Sequence, residues 1–186
     1  MLRLFVAVDL PEAVRQDVAA MCTQVNGARW VKFHQLHVTL RFMGKTPDDA
    51  LTDIRDRLAG VKLPPFPIAL KGAGTFPAAV DPMRARVLWL GLDSDEPLVQ
   101  LKHTIDTHLG EHTDSAKQGF APHLTLARFT HRPDASLTRF LSQHRGYGSP
   151  AWQVACFRLY QSTLHSGRAV HEIVAAYPLA DTGRDH

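Results

Sequence analysis

The chain has 186 residues, 45% hydrophobic and 21% charged. That balance excludes wholesale disorder and fits one domain, or two small lobes sharing a core, burying roughly 70% of the unfolded surface. The net charge is +3, which suits a small phosphate-bearing ligand and is too weak to argue for a long duplex.

Leu2 to Val8 is a short apolar run, read as a buried strand. It meets Asp9 too early for a signal segment. Asp9-Leu10-Pro11-Glu12 opens a helix with Pro just inside it. Val14, Val18, Met21, Cys22 and Val25 supply its apolar face, and Gly27 ends it. Trp30 to Phe33 reads as a short extended piece. Leu36 to Phe42 reads as a strand bounded by Gly44. Thr46-Pro47-Asp48-Asp49 starts a second helix with the stripe Leu51, Ile54 and Leu58, stopped at Gly60. Pro64 to Pro67 is a stiff linker, and Ile68 to Leu70 a strand. Gly72 to Asp81, rich in Gly, Pro and Ala, reads as a loop. Arg84 to Leu92 is a strand. Asp93 to Leu109 is a helix with Leu98, Leu101, Ile105 and Leu109 on one face. Glu111 to Phe120 is polar loop, and Pro122 to Phe129 a strand. Pro133 to His144 is a helix carrying Leu137, Phe140 and Leu141, followed by a turn over Gly146 to Pro150. Trp152 to Leu164 and Ala169 to Tyr177 are strands around the turn His165-Ser166-Gly167-Arg168. The last six residues read as a frayed tail. No stretch nears the ~20 apolar residues of a membrane span. The only cysteines, Cys22 and Cys156, make no CxxC pair and no disulfide framework. A cytoplasmic protein without a membrane anchor is expected.

The order of elements suggests a duplication, and two short motifs strengthen it. His37-Val38-Thr39-Leu40 lies in one expected strand of the first half. His123-Leu124-Thr125-Leu126 lies in another of the second half. A strand has period two, so each presents an imidazole and a hydroxyl on one face and apolar residues on the other. Two such strands facing one cleft would gather two imidazoles and two hydroxyls. That set suits phosphoryl chemistry without a metal. One neutral imidazole takes a proton, one imidazolium gives one, and the hydroxyls donate to non-bridging oxygens. An ordinary imidazole pKa of ~6.5 lets both forms coexist near neutrality. Each acid–base step is worth on the order of 10² to 10⁴ in rate. One such tetrapeptide says little, since a half-buried strand histidine often bonds only to its neighbours. Two copies, one in each half, say much more.

With these motifs in place, the chain resembles the 2H phosphoesterase superfamily, and within it the bacterial and archaeal RNA 2′,3′-cyclic phosphodiesterases, also called 2′-5′ RNA ligases. The resemblance runs from Leu2 to about Leu179. Arg3 to Pro11 is similar to the family's opening strand and turn. Ala28 to Lys32 with Leu36 to Gly44 resembles its first signature, Arg86 to Gly91 its central strand, Pro122 to Arg128 its second signature, and Leu159 to Ser162 its late strand. Phe33-His34 departs from the Pro and acidic residue usual there. The resemblance implies an α+β fold of two lobes spanning residues 1–186 as one domain. It has pseudo-two-fold symmetry, one antiparallel sheet per lobe facing a central cleft, and helices outside. It also implies hydrolysis of a 2′,3′-cyclic phosphate to a 2′-phosphomonoester, with no cofactor and no metal. His123 would activate water and His37 protonate the departing 3′ oxygen.

Several neighbours are open to two readings. Arg41 shares the strand face of His37 and Thr39, so it either reaches substrate phosphate or ends the strand in solvent. Arg128 lies on the opposite face from His123 by parity and reaches the cleft only if the strand bends. Trp30, Phe42, Trp89 and Tyr160 are aromatic candidates for a base platform or for the core; parity puts Phe42 on the core side. His34, His103, His108 and His112 show no metal-motif spacing. His131, His144, His165, His171 and His186 read as surface histidines. Lys71, Arg84 and Arg86 form either a basic rim for a longer RNA or a solvated face.

The expectation is therefore a monomeric enzyme acting on RNA with a 2′,3′-cyclic phosphate end or on a cyclic nucleotide. His37 and His123 are catalytic, and Thr39, Thr125, Arg41 and Arg128 bind substrate. The alternatives are a ligase or end-trimming transesterase using the same residues, and a non-catalytic RNA-end or nucleotide binding module.

Overall fold

A computed structural model describes residues 1–78, 81–110, 120–165 and 168–180. The element order is β1 (Leu2–Asp9), α1 (Glu12–Met21), β2 (Ala28–Trp30), β3 (His37–Thr46), α2 (Leu51–Ala59), β4 (Phe66–Ile68), β5 (Leu70–Phe76), β6 (Val87–Leu92), α3 (Glu96–Leu109), β7 (Leu124–Phe129), α4 (Ala135–His144), β8 (Trp152–Val154), β9 (Cys156–His165) and β10 (Arg168–Pro178). The expected polar loop after α3, with His112, lies outside the described residues, as do Ser166, Gly167 and the C-terminal tail.

The large sheet runs β10-β9-β1-β3-β7-β6-β5, with β2 pairing β7, and β4 pairs β8 in a small second sheet. Every pairing is antiparallel. This is the expected α+β architecture. The halves β10-β9-β1-β3 and β7-β6-β5 with β2 meet at one pair, Val38↔Leu124. That junction falls immediately after the two motif histidines. Its register sets His37 on the side of Thr125 and Thr39 on the side of His123.

The helices bury one face of this sheet. Leu98, Leu101, Ile105 and Leu109 of α3 are buried, as the helical spacing predicts. Ile54 and Leu58 of α2 and Leu137 and Phe140 of α4 join the same core, together with Leu4, Val6 and Val8 of β1. Each fully buried side chain of this size contributes about 1.5–3 kcal/mol. Asp134 caps α4 by accepting from Ser136 N–H at 2.8 Å. On the other sheet face a small separate cluster, Phe5, Ala7 and Tyr160, is buried beneath the cleft. Among the described residues, no helix is long and apolar enough to cross a membrane.

Three elements differ from the sequence reading. The segment from Gly72, read as loop, is strand as far as Phe76. Gly72 (φ +67°) absorbs a bulge between Lys71 and Ala73, and Gly74 lies against the Trp89 ring, where a Cβ would come within 2.3 Å of ring carbons. The glycines therefore permit close strand packing rather than a turn. The stretch Trp152 to Leu164 is two strands that change sheets at Ala155. Finally, β2 ends at Trp30, and Phe33–Gln35 is a 3₁₀ turn.

Candidate active site

Both motifs contain a bulge at the same place. In β3 the partners of Ala7 and Val6 are Thr39 and Arg41, so Leu40 is an extra residue. In β7 the partners of Trp89 and Leu88 are Thr125 and Ala127, so Leu126 is extra. A one-residue bulge inverts the facing of everything beyond it. Arg41 and Ala127 therefore turn inward, and Phe42 and Arg128 turn into the cleft.

This corrects the expectation for Arg41. It is buried and leaves the cleft altogether, donating to Asp106 Oδ1 at 2.7 Å and to the Gly110 carbonyl at 3.0 Å, where it ties β3 to α3. Phe42, placed in the core by simple parity, is 57% exposed and lines the cleft. Arg128 does reach the cleft.

The cleft, about 390 Å³, is lined by His37, Thr39, His123, Thr125, Arg128 and Phe42 among others. That volume suits a nucleotide. The structure thus brings together five of the six residues named from sequence. The two imidazoles are held alike. His37 Nδ1 lies 2.7 Å from the Gln35 carbonyl, and His123 Nδ1 lies 2.7 Å from the Ala121 carbonyl. A carbonyl only accepts, so both Nδ1 atoms carry the proton. Each Nε2 is left without a protein partner among the described residues, able to accept a proton when neutral and to give one when charged.

Their surroundings differ. His37 lies on an aromatic floor. Its ring centroid is 4.9 Å from Phe5 and 6.1 Å from Tyr160, near parallel to both. Burial on this floor pushes its pKa down to about 4; the bond to Gln35 opposes the shift, and the positive potentials of His171, Arg128 and His123 add to it. His123 meets Phe76 edge-on at 4.9 Å and Trp89 at 6.4 Å. Burial lowers its pKa too, opposed by the Ala121 carbonyl and assisted by Arg128. Asp9 stands opposite His37 in the β1·β3 register. It is bonded by Tyr160 Oη at 2.5 Å and paired with Arg158, so it does not compete for cations with an incoming phosphate.

Three cleft residues escaped the sequence reading as site residues. His171, read as a surface histidine, lines the cleft, with its ring edge-on to His37 at 5.6 Å and to Phe5 at 4.9 Å. Arg3 and Ser162 line it as well. Only strand order brings these chain ends beside β3, and local periodicity carries no signal of it. The expected aromatic platform divides. Trp30 packs on Phe140, Trp89 and Tyr160 support the histidines from below, and Phe42 alone of the four lines the open cleft. The described residues gather no set of three or more His, Cys, Asp or Glu placed to hold a metal ion.

Known proteins resemble this chain in sequence and in fold. The family model of the 2′-5′ RNA ligase superfamily matches residues 3–165. The chain is 31% identical over 166 residues to an RNA 2′,3′-cyclic phosphodiesterase of Archaeoglobus fulgidus, covering 88% of this chain and 92% of that one. It is 28% identical over 181 residues to a protein of the same name from Thermotoga maritima, covering 93% of each. Among solved structures, TT0787 of Thermus thermophilus superposes with a TM-score of 0.79 at 28% identity, over 95% of this chain and 97% of that one. E. coli LigT, crystallised with ATP, superposes with a TM-score of 0.73 at 25% identity over 96% and 98%.

Proposed function

The chain belongs to the 2′-5′ RNA ligase superfamily, and from that membership we propose that it hydrolyses 2′,3′-cyclic phosphates, at RNA ends or on nucleotides, to 2′-phosphomonoesters by acid–base catalysis between His37 and His123. The observation that carries this reading is the matched tethering of both imidazoles in one cleft, each Nδ1–H on a carbonyl two residues back and each Nε2 without a hydrogen-bond partner among the described residues.

In the proposed reaction a water attacks phosphorus. His123 Nε2 takes the water proton as the new P–O bond forms. The P–O3′ bond breaks, and His37 Nε2 gives its proton to the departing O3′. The product carries a 2′-phosphate and a 3′-hydroxyl; His123 is left charged and His37 neutral, and solvent exchange resets both. Thr39 and Thr125 donate to the non-bridging oxygens, and Arg128 offsets their charge. With both pKa values lowered, the empty cleft holds neutral imidazoles near pH 7, and the anionic phosphate itself favours charging one of them. His37, with the lower pKa, is the stronger acid once charged, which suits a poor alkoxide leaving group.

The reading needs no metal and involves a single polypeptide. The test is turnover of an RNA with a 2′,3′-cyclic phosphate end in the presence of EDTA, with the product phosphate located. A 2′-phosphate supports hydrolysis. A shortened RNA with a new cyclic end would mean transesterification, and a 2′-5′ joined product in the presence of a 5′-hydroxyl RNA would mean ligation. Binding without turnover would leave a recognition module.

A further inference from the structure

The two imidazoles are tethered alike, but their tethers are anchored differently. The Gln35 carbonyl that holds His37 belongs to a 3₁₀ turn. Gln35 N–H donates to the Lys32 carbonyl at 2.8 Å, and the Gln35 side-chain amide donates to the Ala169 carbonyl at 2.9 Å. The Ala121 carbonyl that holds His123 has no such support. Phe120 and Ala121 lie outside helix, strand and turn. Among the described residues, no backbone–backbone hydrogen bond fixes either of them. Pro122 restricts Ala121 to extended conformations, so its carbonyl points where Phe120 directs the chain.

Phe120 is anchored through its ring. The Lys102 ammonium of α3 lies over that ring, 5.5 Å from its centroid. The Lys102 side chain is only 15% exposed, so the cation meets the ring largely out of water, where this attraction is strongest. Lys102 also donates to Asp106, one turn further along α3, and Asp106 accepts from Arg41 at 2.7 Å. Arg41 lies two residues beyond Thr39 in β3. Asp106 is thus shared by a cation from the first motif strand and by the cation over Phe120. The contacts run without a break from one motif to the residue before the other motif's tether.

We infer that Lys102 is a positioning residue for His123: its ammonium, held by Asp106, clamps the Phe120 ring and so aims the Ala121 carbonyl at His123 Nδ1. Lys102 is not among the residues that line the cleft, so it acts through Phe120 and Ala121 and not on substrate. The clamp keeps the proton on Nδ1 and leaves Nε2 to accept one. Without it Phe120 is released, the Ala121 carbonyl swings, and the His123 ring is free to turn and to exchange tautomers. His37 needs no such clamp, because its tether sits in a hydrogen-bonded turn. The consequence for turnover rests on the proposed hydrolase reading; the tethering itself does not.

The test reads the tether before the chemistry. Nitrogen-15 NMR of the histidine-labelled chain at about pH 8, where imidazoles are neutral, reports the tautomer of each ring. His37→Gln and His123→Gln assign the two signals. In wild type both rings should show the Nδ1–H form. Lys102→Met should turn His123 into a mixture of tautomers and leave His37 unchanged, and Lys102→Arg, which keeps a cation over the ring, should restore the wild-type pattern. Phe120→Leu, which removes the ring and leaves α3 intact, should act as Lys102→Met does. On an RNA 2′,3′-cyclic phosphate end, Lys102→Met should lower kcat roughly 10- to 100-fold with KM little changed. A variant that melts lower yet keeps His123 in the Nδ1–H form would make Lys102 a structural residue only and overturn the inference, as would an equal loss at His37 and His123. If the wild-type chain turns over no cyclic phosphate while Lys102→Met still loses the His123 tautomer, the hydrolase reading fails and the positioning role stands.

Discussion

Phe42 and Arg128 occupy equivalent places in the two halves of the molecule. Each follows its motif histidine by five positions. Each is turned into the cleft by a bulge at the residue after the motif threonine. These equivalent places hold a hydrocarbon ring in one half and a guanidinium in the other, both lining the cleft. Their inward neighbours, Arg41 and Ala127, have gone separate ways: Arg41 became a tether to α3, and Ala127 a small core residue.

This division predicts opposite phenotypes for two arginines. Arg41→Met should lower the melting temperature sharply, because a buried cation is removed from Asp106; breaking such a pair costs about 3–5 kcal/mol when fully buried. The loss should be smaller here, since Asp106 is 28% exposed and also pairs with Lys102. Arg128→Met should instead leave the melting temperature near wild type and reduce kcat/KM. Thermal melts beside steady-state kinetics separate the two.

Thr39 and Thr125 line the cleft. Valine at either position keeps the shape and removes the donor. A lost hydrogen bond to a charged group is worth about 1.5–3 kcal/mol, so kcat/KM should fall roughly 10- to 100-fold. If Thr39→Val and Thr125→Val turn over cyclic phosphate at the wild-type rate, the hydroxyls do not hold the phosphate.

Gly74 supports His123 indirectly. Trp89 lies over it, and a Cβ there would press into the indole ring at 2.3 Å. The same ring flanks His123 at 6.4 Å. Gly74→Ala should displace Trp89, lower stability and reduce kcat more than it raises KM. Intrinsic tryptophan fluorescence reports the displacement directly.

Much of this was legible from residues alone, and the remainder has a physical reason. The four helices and their buried stripes follow from 3.6-residue spacing, as at Leu98, Leu101, Ile105 and Leu109. The histidines and threonines of both motifs follow from period two within a strand. Arg41 and Phe42 did not, because an inserted residue at Leu40 reverses the facing of everything after it, and only pairing with β1 shows it. His171 did not, because its place beside His37 depends on the order in which distant strands join. The strand through Gly72 and Gly74 looked like a loop because glycine marks both turns and close approaches.

The lowered imidazoles set a pH signature. With His37 down to about 4 and His123 also below its ordinary value, a free enzyme needing one charged and one neutral imidazole is most populated in its working form on the acid side of pH 6.5. The kcat/KM profile should therefore already be declining at the ordinary imidazole value of ~6.5. The alkaline limb of kcat should lie higher, since bound phosphate opposes both shifts. Stability carries the opposite trend with acid. The unfolded chain charges His37 near 6.5, whereas the folded chain does not until about 4. Stability is therefore lost as pH falls through that window, by up to about 3 kcal/mol and less where water reaches the ring. Denaturant melts across that range should show a flatter curve for His37→Leu.

In the proposed reaction two tethered imidazoles divide one acid–base task. The most direct measurement is single-turnover hydrolysis of an RNA 2′,3′-cyclic phosphate end by the wild-type chain, His37→Ala, His123→Ala and the double variant. Each single substitution should reduce the rate by about 10² to 10⁴. The double variant should be little worse than either, because the pair acts as a unit. A single variant that keeps wild-type turnover, or two losses that simply multiply, would contradict the account.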